Sequence, residues 1–168
     1  MSCTKAVDFN QVNDFKITPV FESSLVYLNE PASRFLVKGN EINIVKDSVN
    51  IDFFNNQFNA DHLVKAEFLF ETTNSINRAF QVQVDMFDTN NQLQHAFTFT
   101  TDASPSNSDV KNEHIEVFEG NALTALLNSS KFVFTLYILP GVPIDNTTVG
   151  SIILRSKAVF YLSIENTL

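Results

Sequence analysis

The chain has 168 residues, a formal net charge of −8 and one cysteine. Because its 11 basic residues are scattered singly, it lacks the positive surface with which proteins bind nucleic acid or an anionic membrane. A chain of this length buries roughly 70% of the surface of its unfolded form, so a single domain needs neither a metal nor a disulfide.

Residues 1–15 are polar and have no sustained hydrophobic period, which predicts a tether that leads into the domain. Cys3 at its start has two interpretations. It is either an ordinary cysteine in a tail or the lipid-modified first residue of a mature bacterial lipoprotein, for which Ser2 would be the small residue before the cleavage site. We see no signal-peptide pattern in this sequence. We also see no apolar run of about 18 residues, which is the length that a membrane-spanning helix needs.

The first predicted strand covers residues 17–27 and lies at a sheet edge, since Pro19 cannot donate to a ladder. Its shared apolar face is expected to contain Ile17, Phe21, Leu25 and Tyr27. Residues 31–37 fit either a short helical turn or a strand. Two short strands, 42–45 and 49–53, follow, joined by residues 46–48, and an Asn-rich connection covers residues 55–61.

Residues 63–101 have the most regular pattern and predict a three-stranded meander in the middle of one sheet. The first strand covers 63–72 and the third 93–101. In the second, apolar and polar residues alternate, so one face should be buried and the other solvated. The expected inward residues are Val64, Ala66, Phe68, Phe70, Phe80, Val82, Val84, Met86, Phe97 and Phe99. The connections 73–77 and 89–91 are expected to be hairpin turns.

After a loop at 102–112 and a short strand at 113–118, the period changes. Leu123, Leu126 and Leu127 stand at i, i+3 and i+4, which predicts one short helix over residues 121–128 with Asn121 as its N-cap. The helix should close one end of a sheet pair.

Two further strands complete the pattern, one over residues 132–138 and a long one over 150–164, with a loop at 140–148 between them. The long strand should bury Ile152, Leu154, Ala158, Phe160 and Leu162. With no βαβ rhythm, the pattern predicts an all-β fold. Residues 16–168 should form a single antiparallel β-sandwich of about eight or nine strands with one short helix, and the alternative is a β-barrel.

The histidines predict no metal site. His62, His95 and His114 are far apart in the sequence, whereas zinc needs three or four convergent ligands. His95 is expected on the solvated face of its strand. Residues 88–92 resemble the start of a calcium loop, but they lack its later glycine and glutamate, so a hairpin turn is favoured. The loop 102–109 offers two carboxylates, which make a weak site.

No catalytic residue and no cofactor site is predicted. The chain has no GxSxG motif and no phosphate-binding glycine loop. Glycosidases use two carboxylates, but a pair such as Glu67 and Glu71 is common on the solvated face of any strand. Sugar-binding platforms use Trp or Tyr, but this chain has no Trp, and Tyr27, Tyr137 and Tyr161 fall inside predicted strands.

Three segments, FETTNSINRAFQVQVDMFD (70–88), EVFEGNALTALLNSSKFVFTL (116–136) and SKAVFYLSI (156–164), resemble flavobacterial (Bacteroidetes) cell-envelope lipoproteins of unknown role. The resemblance covers nearly the whole chain from Cys3 onward. It implies an envelope location and an acylated Cys3, with no catalytic residues. Residues 4–8 lack the acidic run of surface-exposed lipoproteins, which favours the periplasmic side of the outer membrane.

These observations predict a non-enzymatic envelope lipoprotein, held to the outer membrane only through its lipid anchor. Its β-sandwich would bind other envelope proteins, as an accessory subunit of an outer-membrane complex, through sheet faces or edge strands. An exposed, contiguous apolar patch is the structural feature expected of that function. The alternative is a ligand-binding module for glycan or calcium at the loops.

Overall fold

The structure, a computed structural model, describes residues 16–51 and 57–165. The predicted tether with Cys3 lies outside the described residues, as does part of the predicted strand at 49–53. The strands are β1 Lys16–Ile17, β2 Val20–Pro31, β3 Leu36–Val37, β4 Asn40–Glu41, β5 Ile44–Asn50, β6 Leu63–Asn74, β7 Phe80–Phe87, β8 Leu93–Thr101, β9 Val110–Phe118, β10 Lys131–Ile138, β11 Ser151–Leu162 and β12 Ile164–Glu165. The helices are α1 Gln57–His62, α2 Gly120–Leu127 and a 3-10 helix, Ala32–Phe35.

Eight of the strands form two antiparallel four-stranded sheets that pack face to face. The first sheet has the order β2-β11-β6-β9 and the second the order β5-β10-β7-β8. Along the chain, these strands change sheet at every step except from β7 to β8, which is the pattern of an eight-stranded jelly roll. The expected all-β sandwich is confirmed. The β-barrel alternative is wrong, because each of these two sheets ends in two edge strands.

The core lies between the two sheets and consists largely of phenylalanine. Phe68 on β6 is fully buried, and its ring contacts Phe118 and Phe160 of the first sheet and Phe132 of the second at centroid distances of 4.8, 6.1 and 6.0 Å. Every second residue of β7 and β11 is buried, as the period-2 pattern predicts. These aromatic contacts hold the sheets together.

The predicted meander is wrong, because β6 lies in the first sheet while β7 and β8 lie in the second. The predicted turn at 73–77 is instead a corner between the sheets, organised by the fully buried Asn74. Its Nδ2 donates to the carbonyls of Arg78 and Asp102, each at 2.7 Å, and its Oδ1 accepts from Ile76 N at 3.0 Å. A period-2 pattern indicates a strand and which of its faces is buried, but it does not specify which strand lies beside it in the sheet.

Two β-bulges move predicted core residues to the surface. The β2–β11 register shifts between Ser156 and Lys157, so Leu25 has no opposite residue and Tyr27 faces solvent. A second shift, where β6 pairs with the end of β11, leaves Val64 unpaired and 51% exposed. An extra residue in one strand reverses the faces of the residues beyond it.

Local elements also differ from prediction. β5 is one continuous strand where two short strands and a turn at 46–48 were expected, and α1 replaces part of the Asn-rich connection. Residues 31–37, for which the sequence allowed a short helical turn or a strand, include the 3-10 helix, followed by β3. The helix near 121–128 is confirmed as α2, but its N-cap is Glu119, without a side-chain cap bond, so the Asn121 cap is wrong. β2 is an edge strand, as expected.

Candidate functional site

The outer face of the first sheet has an ion-pair cluster centred on Glu67. Lys65 Nζ lies 2.8 Å from Glu67 Oε1 and 3.4 Å from Glu119 Oε1, and the Tyr161 hydroxyl donates to Glu67 Oε2 at 2.9 Å. The hydrogen bond from Lys65, followed by that from Tyr161, lowers the pKa of Glu67. The same hydrogen bonds with Glu67 raise the pKa values of Lys65 and Tyr161. At neutral pH, all three groups therefore keep one fixed charge state.

Further along the same face, Arg155 occupies the space between Glu71 and Tyr27. Its Nη1 lies 3.7 Å from Glu71 Oε1, and its guanidinium carbon lies 5.9 Å from the centre of the Tyr27 ring. Glu67 and Glu71, paired in the sequence analysis, thus share one face but have separate cationic partners. Such an arrangement suits a solvated, charge-balanced surface, on which each carboxylate lies beside its own cation.

Between these ion pairs lies an apolar surface, which we call the outer patch and define as Leu69, Ile115, Val117 and Val159. Ile115 is directly opposite Leu69, while Val117 and Val159 flank Glu67 from the two neighbouring strands. Directly opposite residues of antiparallel strands share a face. Ile115 is 59% exposed and Val117 is 45% exposed, whereas Leu69 and Val159 are half-buried. The patch therefore spans β9, β6 and β11, with Ile115 and Leu69 in direct register and Val159 diagonal to Leu69 across Glu67.

A groove of about 550 Å³ lies at the end of the same face. Its apolar walls come from Val20, Val64 and Tyr161, and Lys65 and Glu119 also line it. The bulge that exposes Val64 creates one of these walls. The groove and the outer patch share the ion-pair cluster as a common border.

The outer face of the second sheet is polar and mostly uncharged. Thr135 and Thr98 are the neighbours of Gln83 in one row across the sheet, and Tyr137 and Thr100 are those of Gln81 in the next. Thr135 is 1% exposed, and its hydroxyl has no hydrogen-bond partner among the described residues. The glutamines of β7 are half-buried and lie outward, as the sequence predicts.

Two of the three histidines meet at one carboxylate where the sheet edges converge. His95 Nε2 on β8 lies 2.8 Å from Glu116 Oε1, and His114 Nε2 on β9 lies 3.1 Å from Glu116 Oε2. His95 is opposite the buried Met86 and faces inward, so its predicted placement on the solvated face is wrong. His62 lies at the end of α1 against the Phe58 ring instead.

This His–Glu–His cluster links the two sheets. Glu116 lies within hydrogen-bond distance of both imidazoles and so joins β8 to β9. Among the described residues, no three His, Cys, Asp or Glu side chains are arranged to hold a metal ion. Sequence reasoning missed Glu116, although its spacing from His114 and Phe118 places all three on one face of β9.

The acidic loops contain internally bonded turns. Asp88 Oδ1 accepts from the backbone N–H groups of Asn90 and Gln92, both at 2.8 Å, and Oδ2 accepts from Gln94 Nε2 at 3.0 Å. The turn interpretation of residues 88–92 is confirmed. In the second acidic loop, Asp102 Oδ2 accepts from Asn112 Nδ2 at 2.9 Å.

A partly buried ion pair that the sequence did not reveal supports the loop after β10. Arg78 is 7% exposed and pairs with Glu41 at 3.1 Å. It also donates to the carbonyls of Leu139 and Val142, while Glu41 accepts from Ile144 N. Every partner belongs to the scaffold, so the pair orders the corner between β7, β4 and this loop.

Fold and surface together define an all-β jelly-roll sandwich with an apolar patch on one sheet face. No protein-family model and no curated protein matches the chain. In the described ranges, no helix is long and apolar enough to cross a membrane.

The chain is similar in part to three solved structures. A candidate secreted protein from Parabacteroides distasonis is 12% identical, covering 70% of this chain and 37% of its own, with a TM-score of 0.48. The infectious bursal disease virus VP2 subviral particle is 9% identical over 86% and 36%, with a TM-score of 0.45. PorU from Porphyromonas gingivalis is 11% identical over 89% and 13%, with a TM-score of 0.37. The chain spans little more than a third of the first two proteins, and at these identities none of the three transfers a function to it.

Proposed function

We propose that this protein is a non-enzymatic module of the bacterial cell envelope that docks another envelope protein on the outer face of its first sheet. The observation that supports docking is the outer patch, in which Ile115 and Val117 of β9 are exposed beside the half-buried apolar side chains of β6 and β11. Isolated exposed apolar residues are ordinary, whereas a contiguous apolar patch on a protein surface is typical of interaction sites.

The charges around the outer patch favour a protein partner. Lys65 forms ion pairs with both Glu67 and Glu119, and Glu71 pairs with Arg155, so a partner that covers the patch meets few unpaired charges. Interfaces of this kind combine an apolar centre with a polar rim. The adjacent groove, with Val20 and Val64, extends the apolar area beyond the flat face.

The envelope location rests on the sequence resemblance. Under this proposal, Cys3 carries acyl chains that hold the protein at the periplasmic side of the outer membrane, with about 0.8 kcal/mol contributed by each buried methylene. The tether, residues 1–15, would separate the sandwich from the bilayer. The partner would then be another envelope protein, and this chain an accessory subunit of its complex.

Docking is tested by replacing both exposed patch residues, Ile115→Ser with Val117→Ser, in the native organism. Co-purification from detergent-solubilised membranes should recover a stoichiometric partner with the wild-type protein and lose it with this variant. The matched control, Val142→Ser with Val149→Ser, removes two valines of comparable exposure from a distant loop and should retain the partner. Recovery of the wild-type protein alone, or retention of the partner by the patch variant, would contradict the proposal.

Anchoring has a separate test, mass spectrometry of the N-terminal peptide from native membranes. An acylated N-terminal Cys3 is the expected result. Detection of an unmodified Cys3 preceded by Met-Ser would overturn the lipoprotein proposal without bearing on the docking surface.

A further inference from the structure

Among residues 16–51 and 57–165, no strand pairs with the outer edge of β8. We propose that this edge pairs in antiparallel fashion with the β8 edge of a second copy of this chain. The two second sheets would then form one continuous eight-stranded sheet across a two-fold axis. This interface lies at an edge of the second sheet, whereas the outer patch lies on the outer face of the first sheet. The proposal is therefore independent of the proposed function.

The four edge strands of the sandwich are not equally protected against pairing. Natural edge strands avoid pairing through charged side chains, proline and bulges. β2 has Glu22, Glu30, Pro31 and a bulge. β9 has Lys111 and Glu113, and β5 has Lys46 and Asp47. β8, LQHAFTFTT, has no Lys, Arg, Asp, Glu or Pro in nine residues.

β8 is also regular enough to act as a template. Its ladder with β7 is uninterrupted from His95 to Thr101, and the one register shift lies toward Leu93. The outward side chains, Ala96, Thr98 and Thr100, are small and exposed, so the backbone of another strand can approach the edge. Threonine is well suited to strands and to cross-strand pairs.

The inward side chains of β8 hold this edge in place. Phe97 and Phe99 contact the Phe70 ring at 5.4 and 5.5 Å, and both stack on His114, with Phe99 only 7° from parallel. Glu116 binds His95 from the other sheet. An edge that is already ordered loses little conformational entropy when a second strand adds to it.

The absence of charge favours a second copy as the occupant. Two-fold pairing of a strand with itself brings residues near the axis close to their own copies, so a charged edge would repel itself. With the axis at Phe97, Ala96 lies opposite Thr98 of the other copy. A foreign strand would be selected by charges along the edge, and β8 supplies none.

The net charge of −8 per chain opposes association at long range. Salt screens this repulsion, with a Debye length of about 10 Å at 0.1 M, but leaves the short backbone hydrogen bonds of a strand pair intact. Dimerisation should therefore strengthen as salt rises from low to moderate concentration.

Sedimentation velocity of the full chain tests the proposal, with Cys3→Ser included to exclude lipid and disulfide linkage. The protein should change from monomer to dimer as its concentration rises. Thr98→Lys, which places two lysines near the axis, should raise the dimer Kd by about tenfold or more. Ser48→Lys adds the same charge at the opposite edge of the same sheet and should leave the Kd unchanged.

Circular dichroism confirms that each variant is folded, and hydrogen exchange then locates the interface. The amides of β8 should lose protection in Thr98→Lys and keep it in Ser48→Lys. A wild-type protein that stays monomeric at every concentration, or equal effects of the two lysines, would overturn the proposal. So would a native mass spectrum in which one chain carries a foreign peptide.

Discussion

At the scale of single residues, the corner between the two sheets depends on Asn74. Its side chain satisfies two carbonyls and one N–H group that no strand partner reaches. Buried polar groups left without a partner cost about 1–3 kcal/mol each. One side chain therefore determines where the chain leaves the first sheet.

Asn74→Ala should lower the free energy of unfolding by about 2–4 kcal/mol, because it leaves the Ile76 N–H and two carbonyls unsatisfied. Urea unfolding followed by circular dichroism measures the change. Asn40→Ala provides a comparison, since its Nδ2 donates one exposed hydrogen bond to Lys38 O at 3.4 Å and its φ is not positive, and it should cost less than about 1 kcal/mol. Equal effects of the two substitutions would contradict this role of Asn74.

Gly150 makes a second residue-scale contact at the same corner. It has φ +104°, and a Cβ there would lie 2.5 Å from Ser75 O. Gly150→Ala should destabilise by about 2–4 kcal/mol, since it combines backbone strain with a clash. Gly120 also has positive φ, but nothing lies within 4 Å of the methyl group that Gly120→Ala would add. Thermal unfolding of this control should therefore show only the cost of the backbone conformation, about 1–2 kcal/mol.

At the scale of elements, the ion-pair cluster links β6, β11 and the start of α2. The pKa of Glu67 is lowered from its ordinary 4.5, chiefly by the hydrogen bond from Lys65. A lowered folded-state pKa contributes stability above the ordinary value, and this is lost as pH falls through the lowered one. The raised pKa values of Lys65 and Tyr161 act in the opposite direction, so their contributions are lost at alkaline pH.

Glu67→Gln should therefore lower the thermal midpoint relative to wild type at pH 7. This difference should shrink as the pH falls below 4.5, where the wild-type carboxyl also becomes neutral. Tyr161→Phe removes the second hydrogen bond but leaves the Lys65 pair, so it should retain most of the acid dependence. Differential scanning calorimetry between pH 3 and pH 8 measures both variants, and a difference independent of pH would contradict the assignment.

At the scale of the whole molecule, Phe68 reports on the packing of the two sheets. Its ring lies at the centre of contacts from both sheets and is fully buried. Phe68→Ala should lower the free energy of unfolding by about 3–5 kcal/mol through the cavity it creates. Leu93→Ala, at an exposed position, should cost less than about 0.5 kcal/mol in the same denaturant titration. Similar losses would show that the sheets do not share one core.

The strand faces and the fold class could be predicted because both are local. Burial of one face imposes a period of two, and β7 and β11 follow it residue by residue. α2 could be predicted for the same reason, from Leu123 and Leu126 on one helical face. The outer patch could not be predicted, because Ile115 and Leu69 are neighbours only through strand pairing.

By itself, the sequence determined an all-β antiparallel fold with a phenylalanine core and the helix α2, while it left a sandwich and a barrel as alternatives. Only the tertiary structure decided that β6 separates from β7, that bulges expose Tyr27 and Val64, and that Glu116 joins two histidines. The physical reason is that backbone hydrogen bonds are chemically alike in every strand. The choice of neighbour, and with it each outer face and free edge, depends on how the whole core packs.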